Sequence, residues 1–163
     1  MVPLCPHSNL RRDEMTEEEN IERAGDEDYG QYIVHYEDIP MEELAPDAWS
    51  HLVAGKEAVV SFLTIPAGTY FPVHQHVAEQ IMVVVEGYID QVIDGKMYRV
   101  NAGDVIVMPS NIPHGGYVRD QDCKVIDIFA PLREDLAERA AGAKARMAEQ
   151  DSADTNIRPV GAH

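Results

Sequence analysis

Residues 74–80, HQHVAEQ, put two histidines, a glutamate and a glutamine between runs that read as β-strand. Side chains alternate faces along a strand, so His74 and His76 point one way and Gln75 and Val77 the other. If pairing resumes in register, Gln80, Met82 and Val84 follow the two histidines. Two imidazoles two residues apart on the inner wall of a barrel can share one cation, whereas two buried imidazolium ions would repel each other. An HxH alone also suits hydrogen-bonded core histidines, so the surrounding strands decide what it is for.

Short β segments extend outward from that stretch: EAVVSFLTIPAG, TYFPVHQHV, QIMVVVEG, YIDQVIDG, KMYRVNAG, DVIVMPS, GGYVRD and CKVIDIFAP. Gly68, Gly87, Asp94-Gly95, Ala102-Gly103 and Asn111 punctuate them, and Asp94-Gly95 between alternating residues predicts a two-residue hairpin. This spacing predicts an all-β sandwich or barrel over residues 31–131, with QYIVHY as a strand and DIPMEELAPDAW as a turn-rich connector. Residues 1–30 carry the run DEMTEEENIERAGDED and are expected to form an acidic, disordered arm or one weak helix. After Pro131, LREDLAERAAGAKARMAEQ is rich in strong helix formers and predicts a helix over 132–149. Leu132, Leu136, Ala140 and Met147 fall at helical spacing, and Asp135 with Arg139 offers an i,i+4 pair. The helix is expected to cover the barrel or a second subunit, and residues 150–163 to be disordered.

The 163 residues suit one compact domain with tails. Against 13 Lys and Arg stand 29 Asp and Glu, a formal net charge of -16. Such a charge repels phosphate backbones and anionic membrane surfaces, so neither nucleic acid nor membrane is an expected partner. Cys5 and Cys123 lie at opposite ends of the chain and form neither a CxxC pair nor a disulfide framework. There is no signal-peptide core at the N-terminus and no apolar run of about 18 residues, so the expected location is the cytoplasm.

The wider spacing resembles the paired motifs of the cupin superfamily. The first motif is matched by Gly68, TYFPV, His74, Gln75, His76, VAE, Gln80, IMVVVE and Gly87; the second by Gly103, DVIVM, Pro109, Ser110, Asn111, IP and His114. The resemblance implies a double-stranded β-helix, a conical jelly-roll barrel, holding one divalent transition metal (Mn, Fe, Co, Ni or Zn) in its mouth. It implies the ligand set His74, His76, Gln80 and His114, with Gln80 in the slot that usually holds glutamate. Glu79 is then a surface carboxylate. Asn111 replaces the second-motif glycine, and Asn tolerates the left-handed turn required there. Barrels of this kind often pair, which implies a homodimer.

In CKVIDIFAPLRED, Cys123, Val125, Asp127 and Phe129 share one face. A carboxylate among inward apolar residues is costly unless paired or used, so Asp127 is either an anchor bonded to backbone or Arg133, or a general acid or base beside the metal. Arg133 either lies on the helix surface near Glu134 or clamps a substrate carboxylate at the barrel mouth; Phe129 is core or a platform. Taken together, HxHxxEQ, DGK, PxNxPH and DxFxPxRED resemble the small single-domain cupins of the pectin degradation protein (KdgF-like) group. That family opens unsaturated uronate sugars into linear keto acids, and its Asp, Phe and Arg trio matches Asp127, Phe129 and Arg133. The resemblance implies a metal-dependent isomerase or lyase with a small anionic substrate. Other uses of the barrel are an iron-dependent dioxygenase and a non-enzymatic small-ligand-binding protein.

Overall fold

The computed structural model describes residues 22–157. They fall into two units, the first ending at Val34 and the second beginning at His35. The described part of the first holds helix α1, Asp26–Tyr32. The strand expected for QYIVHY does not form: Gln31 and Tyr32 close α1, and Tyr36 opens a short 3-10 turn, Tyr36–Asp38. Branched and aromatic residues favour a strand only where a neighbour completes the ladder. Tyr36 instead stacks its ring on Phe62, with centroids 3.9 Å apart. The boundary expected at residue 31 therefore falls at His35.

The second unit runs β1 Glu42–Ala45, β2 Ala48–Ala54, β3 Val59–Ile65, β4 Tyr70–His74, β5 Glu79–Glu86, β6 Tyr88–Ile93, β7 Lys96–Asn101, β8 Val105–Met108, β9 His114–Tyr117, β10 Cys123–Ala130 and α2 Glu134–Ile157. A six-stranded sheet, β1-β2-β3-β10-β5-β8, joins a four-stranded sheet, β4-β9-β6-β7, in the double-stranded β-helix. Strands β1 and β2 occupy the stretch where a connector was expected, and their sequence explains the miss. The inward face of β2 is Ala48, Ser50 and Leu52, and the Ser50 and Ser61 hydroxyls pair at 2.8 Å, so no apolar alternation advertises the strand. The Asp94-Gly95 hairpin forms as expected, with both residues at positive φ and Ile93 opposite Lys96. Gly87, at φ 73°, ends β5 where a Cβ would collide with the Asp122 carbonyl.

The core lies between the sheets, around Ile65, Met82, Val84, Ile89, Met108 and Val125. A second cluster joins Leu52, Val59 and Phe129 to Leu136 and Ala140 of α2, so the helix packs on the barrel. Helix α2 continues past residue 149 to Ile157, because no proline or glycine interrupts the chain between Gly142 and Pro159. The remainder of the tail and most of the acidic arm lie outside the described residues. The expected pair of Asp135 with Arg139 is not formed. Asp135 takes Arg133, while Arg139 Nη1 donates to the Glu43 carbonyl at 2.9 Å, tying α2 to β1. Among the described residues no helix is long and apolar enough to cross a membrane.

Candidate functional site

The hydrogen-bond ladders converge three imidazoles at one end of the barrel. His74 ends β4 directly opposite His114, which begins β9. His76 follows in the loop before β5, and the His114 ring lies 4.5 Å from that of His74 and 4.8 Å from that of His76. Their ligand-capable nitrogens lie within 4.8 Å of one another, with His114 buried and His74 exposed. Each Nδ1 faces a backbone carbonyl: Pro72 for His74 at 2.9 Å, Ala78 for His76 at 2.8 Å and Ile112 for His114 at 2.8 Å. A carbonyl only accepts, so each Nδ1 donates, which leaves Nε2 as the nitrogen of each ring available to a ligand. Burial holds the His114 imidazole below the usual histidine range, with His74, His76 and Arg133 adding to the effect against the Ile112 carbonyl.

Gln80 sits near the start of β5 opposite Phe129 of β10, which makes Asp127 its diagonal neighbour. Its Nε2 donates to Asp127 Oδ1 at 2.7 Å, which turns its Oε1 to within 3.2 Å of His76 Nε2. Two acceptors at that distance need a cation or a shared proton between them. His114 Nε2 is also buried without a partner. Three imidazole nitrogens and an amide oxygen fit a divalent transition metal. Glu79 is exposed on the opposite face, as face alternation requires. Asn111 adopts φ 61°, the left-handed turn expected of it.

Asp127 is 4% exposed. Burial pushes its carboxyl up to about 7, against the lowering effects of the Gln80 amide and Arg133. Of the sequence-level alternatives, the anchor bonded to Arg133 is absent: Arg133 donates Nε and Nη2 to Asp135 at 3.1 and 2.6 Å. The Arg133 guanidinium lies 5.1 Å from the Phe129 ring centroid, and that ring meets His76 edge-on at 5.6 Å. Two of the five guanidinium N–H donors are used in this pair, which leaves others for a ligand. All of these groups except His76 line one cavity of about 210 Å³, below the roughly 300 to 1,000 Å³ of drug-sized sites, and so suited to a small molecule.

The sequence reading passed over Gln91. It is 3% exposed, lines the same cavity, and its Oε1 has no hydrogen-bond partner. Strand alternation places it with Ile89 and Ile93 facing inward, the same signal that singled out Asp127.

A jelly-roll barrel with three imidazoles gathered at one end defines the class of this unit. Residues 61–129, from β3 to β10, match the cupin domain, and the barrel has the cupin fold. Among solved structures, an RmlC-like cupin from Shewanella frigidimarina superposes with a TM-score of 0.59 at 27% identity, over 64% of this chain and 94% of that one. KdgF from a Halomonas species gives a TM-score of 0.57 at 28% identity, over 63% of this chain and 94% of that one. The dimethylsulfoniopropionate lyase DddQ from Ruegeria pomeroyi is 36% identical over 58 residues, 35% of this chain and 29% of the lyase. The match thus spans less than a third of that lyase. Enzymes are among these relatives, and the three histidines form a group able to hold a metal.

Proposed function

We propose that this chain is a metal-dependent isomerase or lyase acting on a small carboxylated, hydroxylated substrate, with ring opening of an unsaturated uronate sugar as its reaction. The observation that carries this reading is the Gln80 bridge, which ties a buried carboxyl to the histidine cluster: Oε1 at His76 and Nε2 on Asp127. His74, His76, Gln80 and His114 would hold a divalent metal, which would supply Lewis acidity kept high by a neutral ligand set. Asp127 takes the proton of the hydroxyl on the anomeric carbon. The bond from that carbon to the ring oxygen then breaks, leaving an aldehyde and an enol. The proton returns at the alkene carbon as the enol becomes a ketone, so the reaction is an isomerisation that needs no co-reactant. Arg133 meets the substrate carboxylate with its free N–H groups, and Phe129 fixes both Arg133 and His76 against its ring.

The likeness to DddQ favours a second substrate of similar size, dimethylsulfoniopropionate, with the same carboxylate contact and Asp127 again moving the proton. The test is metal analysis of the purified protein coupled to a screen of unsaturated uronates, hydroxy and keto acids and dimethylsulfoniopropionate. The expected result is about one divalent ion per chain, turnover of an unsaturated uronate followed by loss of its alkene absorbance, and loss of both on His114→Ala. Full metal occupancy in His114→Ala would overturn the site. Oxygen consumption with ferrous iron would replace the isomerase by a dioxygenase.

A further inference from the structure

The inward face of β6 carries an amide that the proposed chemistry leaves unused. Gln91 pairs directly with Gly116 of β9, while Ile93, two residues on, pairs with His114. Gln91 is therefore one inward step from the histidine cluster along the barrel wall, about 7 Å at strand rise. Its Nε2 lies 3.4 Å from the Met108 sulfur, a weak acceptor, and its Oε1 is sealed from solvent without a donor. Gly116 lets the β9 backbone lie close against that oxygen: a Cβ there would lie 3.0 Å from Oε1 and 2.9 Å from Ile89 Cδ1. Packing alone would be served better by an apolar side chain, since a buried acceptor without a partner is destabilising. The aliphatic lining of the cavity, Leu63, Ile65, Met82 and Ile89, offers no side-chain hydrogen-bond donor. A ligand hydroxyl can supply that donor.

Resting on the reading that this cavity takes a small carboxylated substrate, we propose that Gln91 is its specificity-determining residue: the amide oxygen accepts a hydrogen bond from a substrate hydroxyl and selects hydroxylated acids over their deoxy counterparts. The 7 Å step sets the scale, because an acid seated at the histidines reaches Gln91 with a hydroxyl several atoms away, as a sugar acid of five or six carbons does.

The test measures binding by calorimetry on metal-loaded protein with two ring carboxylates, galacturonate and cyclohexanecarboxylate. The wild-type protein is expected to prefer galacturonate by roughly 10-fold or more, the usual reward for pairing a buried polar group. Gln91→Met keeps the length and removes the acceptor. It should lose most of that preference, with metal content and melting temperature held and cyclohexanecarboxylate binding unchanged or tighter. Gly116→Ala, which crowds Oε1 while leaving Gln91 itself unchanged, should weaken galacturonate in the same direction. A wild-type ratio retained in both variants overturns the proposal, as does a wild-type protein that binds the two acids equally or binds neither. Binding is read without turnover, which keeps the two readings apart. A protein that prefers galacturonate but opens no uronate loses the reaction and keeps the selectivity, whereas turnover indifferent to Gln91→Met does the reverse.

Discussion

Two carboxylates in this barrel are equally buried, each 4% exposed, and end at opposite extremes. Asp127, inside the large sheet, has one neutral donor, Gln80, and its carboxyl is pushed up to about 7 by burial. Asp90, on the outer face of the small sheet, meets Arg99 through two hydrogen bonds of 2.7 and 3.0 Å and also accepts from Arg119. Those hydrogen bonds, Arg99 first, outweigh burial and hold the Asp90 carboxyl down at about 2. Burial is common to both; the partner decides the outcome. A carboxylate with cations locks an edge of the fold, while one left with an amide is free to exchange a proton near neutrality.

The largest test of that contrast is Asp127→Asn, which keeps shape and most hydrogen bonding. It should cut kcat on the substrate found in the screen by roughly 100-fold or more, with normal metal content and an unchanged melt. An Asn variant that stays fully active, or that unfolds, returns Asp127 to a structural role beside Asp90.

Asp90→Asn should do the opposite. Turnover holds, while denaturant unfolding shows a loss of about 1 to 3 kcal/mol, below the cost of breaking a fully buried pair because Arg99 and Arg119 are both half-exposed. The pH dependence has a fixed sign. A depressed carboxyl stabilises above its unfolded value of 3.8, and that contribution is lost as pH falls through about 2. The gap between wild type and Asp90→Asn should therefore be full above about pH 4 and close near pH 2. A gap that persists at pH 2 would place the stabilisation somewhere other than this ion pair.

A smaller change follows from Gln80→Glu, which exchanges the one donor to Asp127 for a second acidic group. Metal should be retained, and more tightly, while kcat falls by roughly 10-fold as the added charge drains Lewis acidity. Glu79→Gln, on the opposite face, should shift neither metal content nor stability beyond about 0.5 kcal/mol. If instead Glu79→Gln strips the metal, the strand is read one residue out of register.

Face alternation made most of this site legible. It places Gln80 inside and Glu79 outside, and it marks Asp127 as an inward carboxylate on a strand whose other inward residues are apolar. The strands from Val59 onward carry that alternation between glycine-marked turns, so their order could be read directly. Strand β2 could not, because its inward Ser50 is satisfied by Ser61 on β3 and shows no local hydrophobic signal. QYIVHY misled for the converse reason: its residues favour a ladder that no neighbour offers. The partner of Arg133 was hidden too. Helical spacing pointed to Asp135 with Arg139, but Arg139 is drawn to a β1 carbonyl, and Arg133, just before the helix, takes the free carboxylate.

Strand β10 is bonded on both sides, with Asp127 opposite Ser61 on β3 and Met82 on β5. Opening it to solvent means parting two ladders at once, so its amides should be among the slowest in the barrel to exchange with deuterium, and close to the cost of global unfolding. Arg133 lies beyond the end of that strand and before the first residue of α2, with no ladder to hold it. The carboxyl proposed to move the proton thus belongs to one of the slowest parts of the barrel to open, and the guanidinium proposed to bind the substrate carboxylate to one of the easier parts. Ligand entry can proceed by local breathing at the rim while the reacting geometry stays fixed.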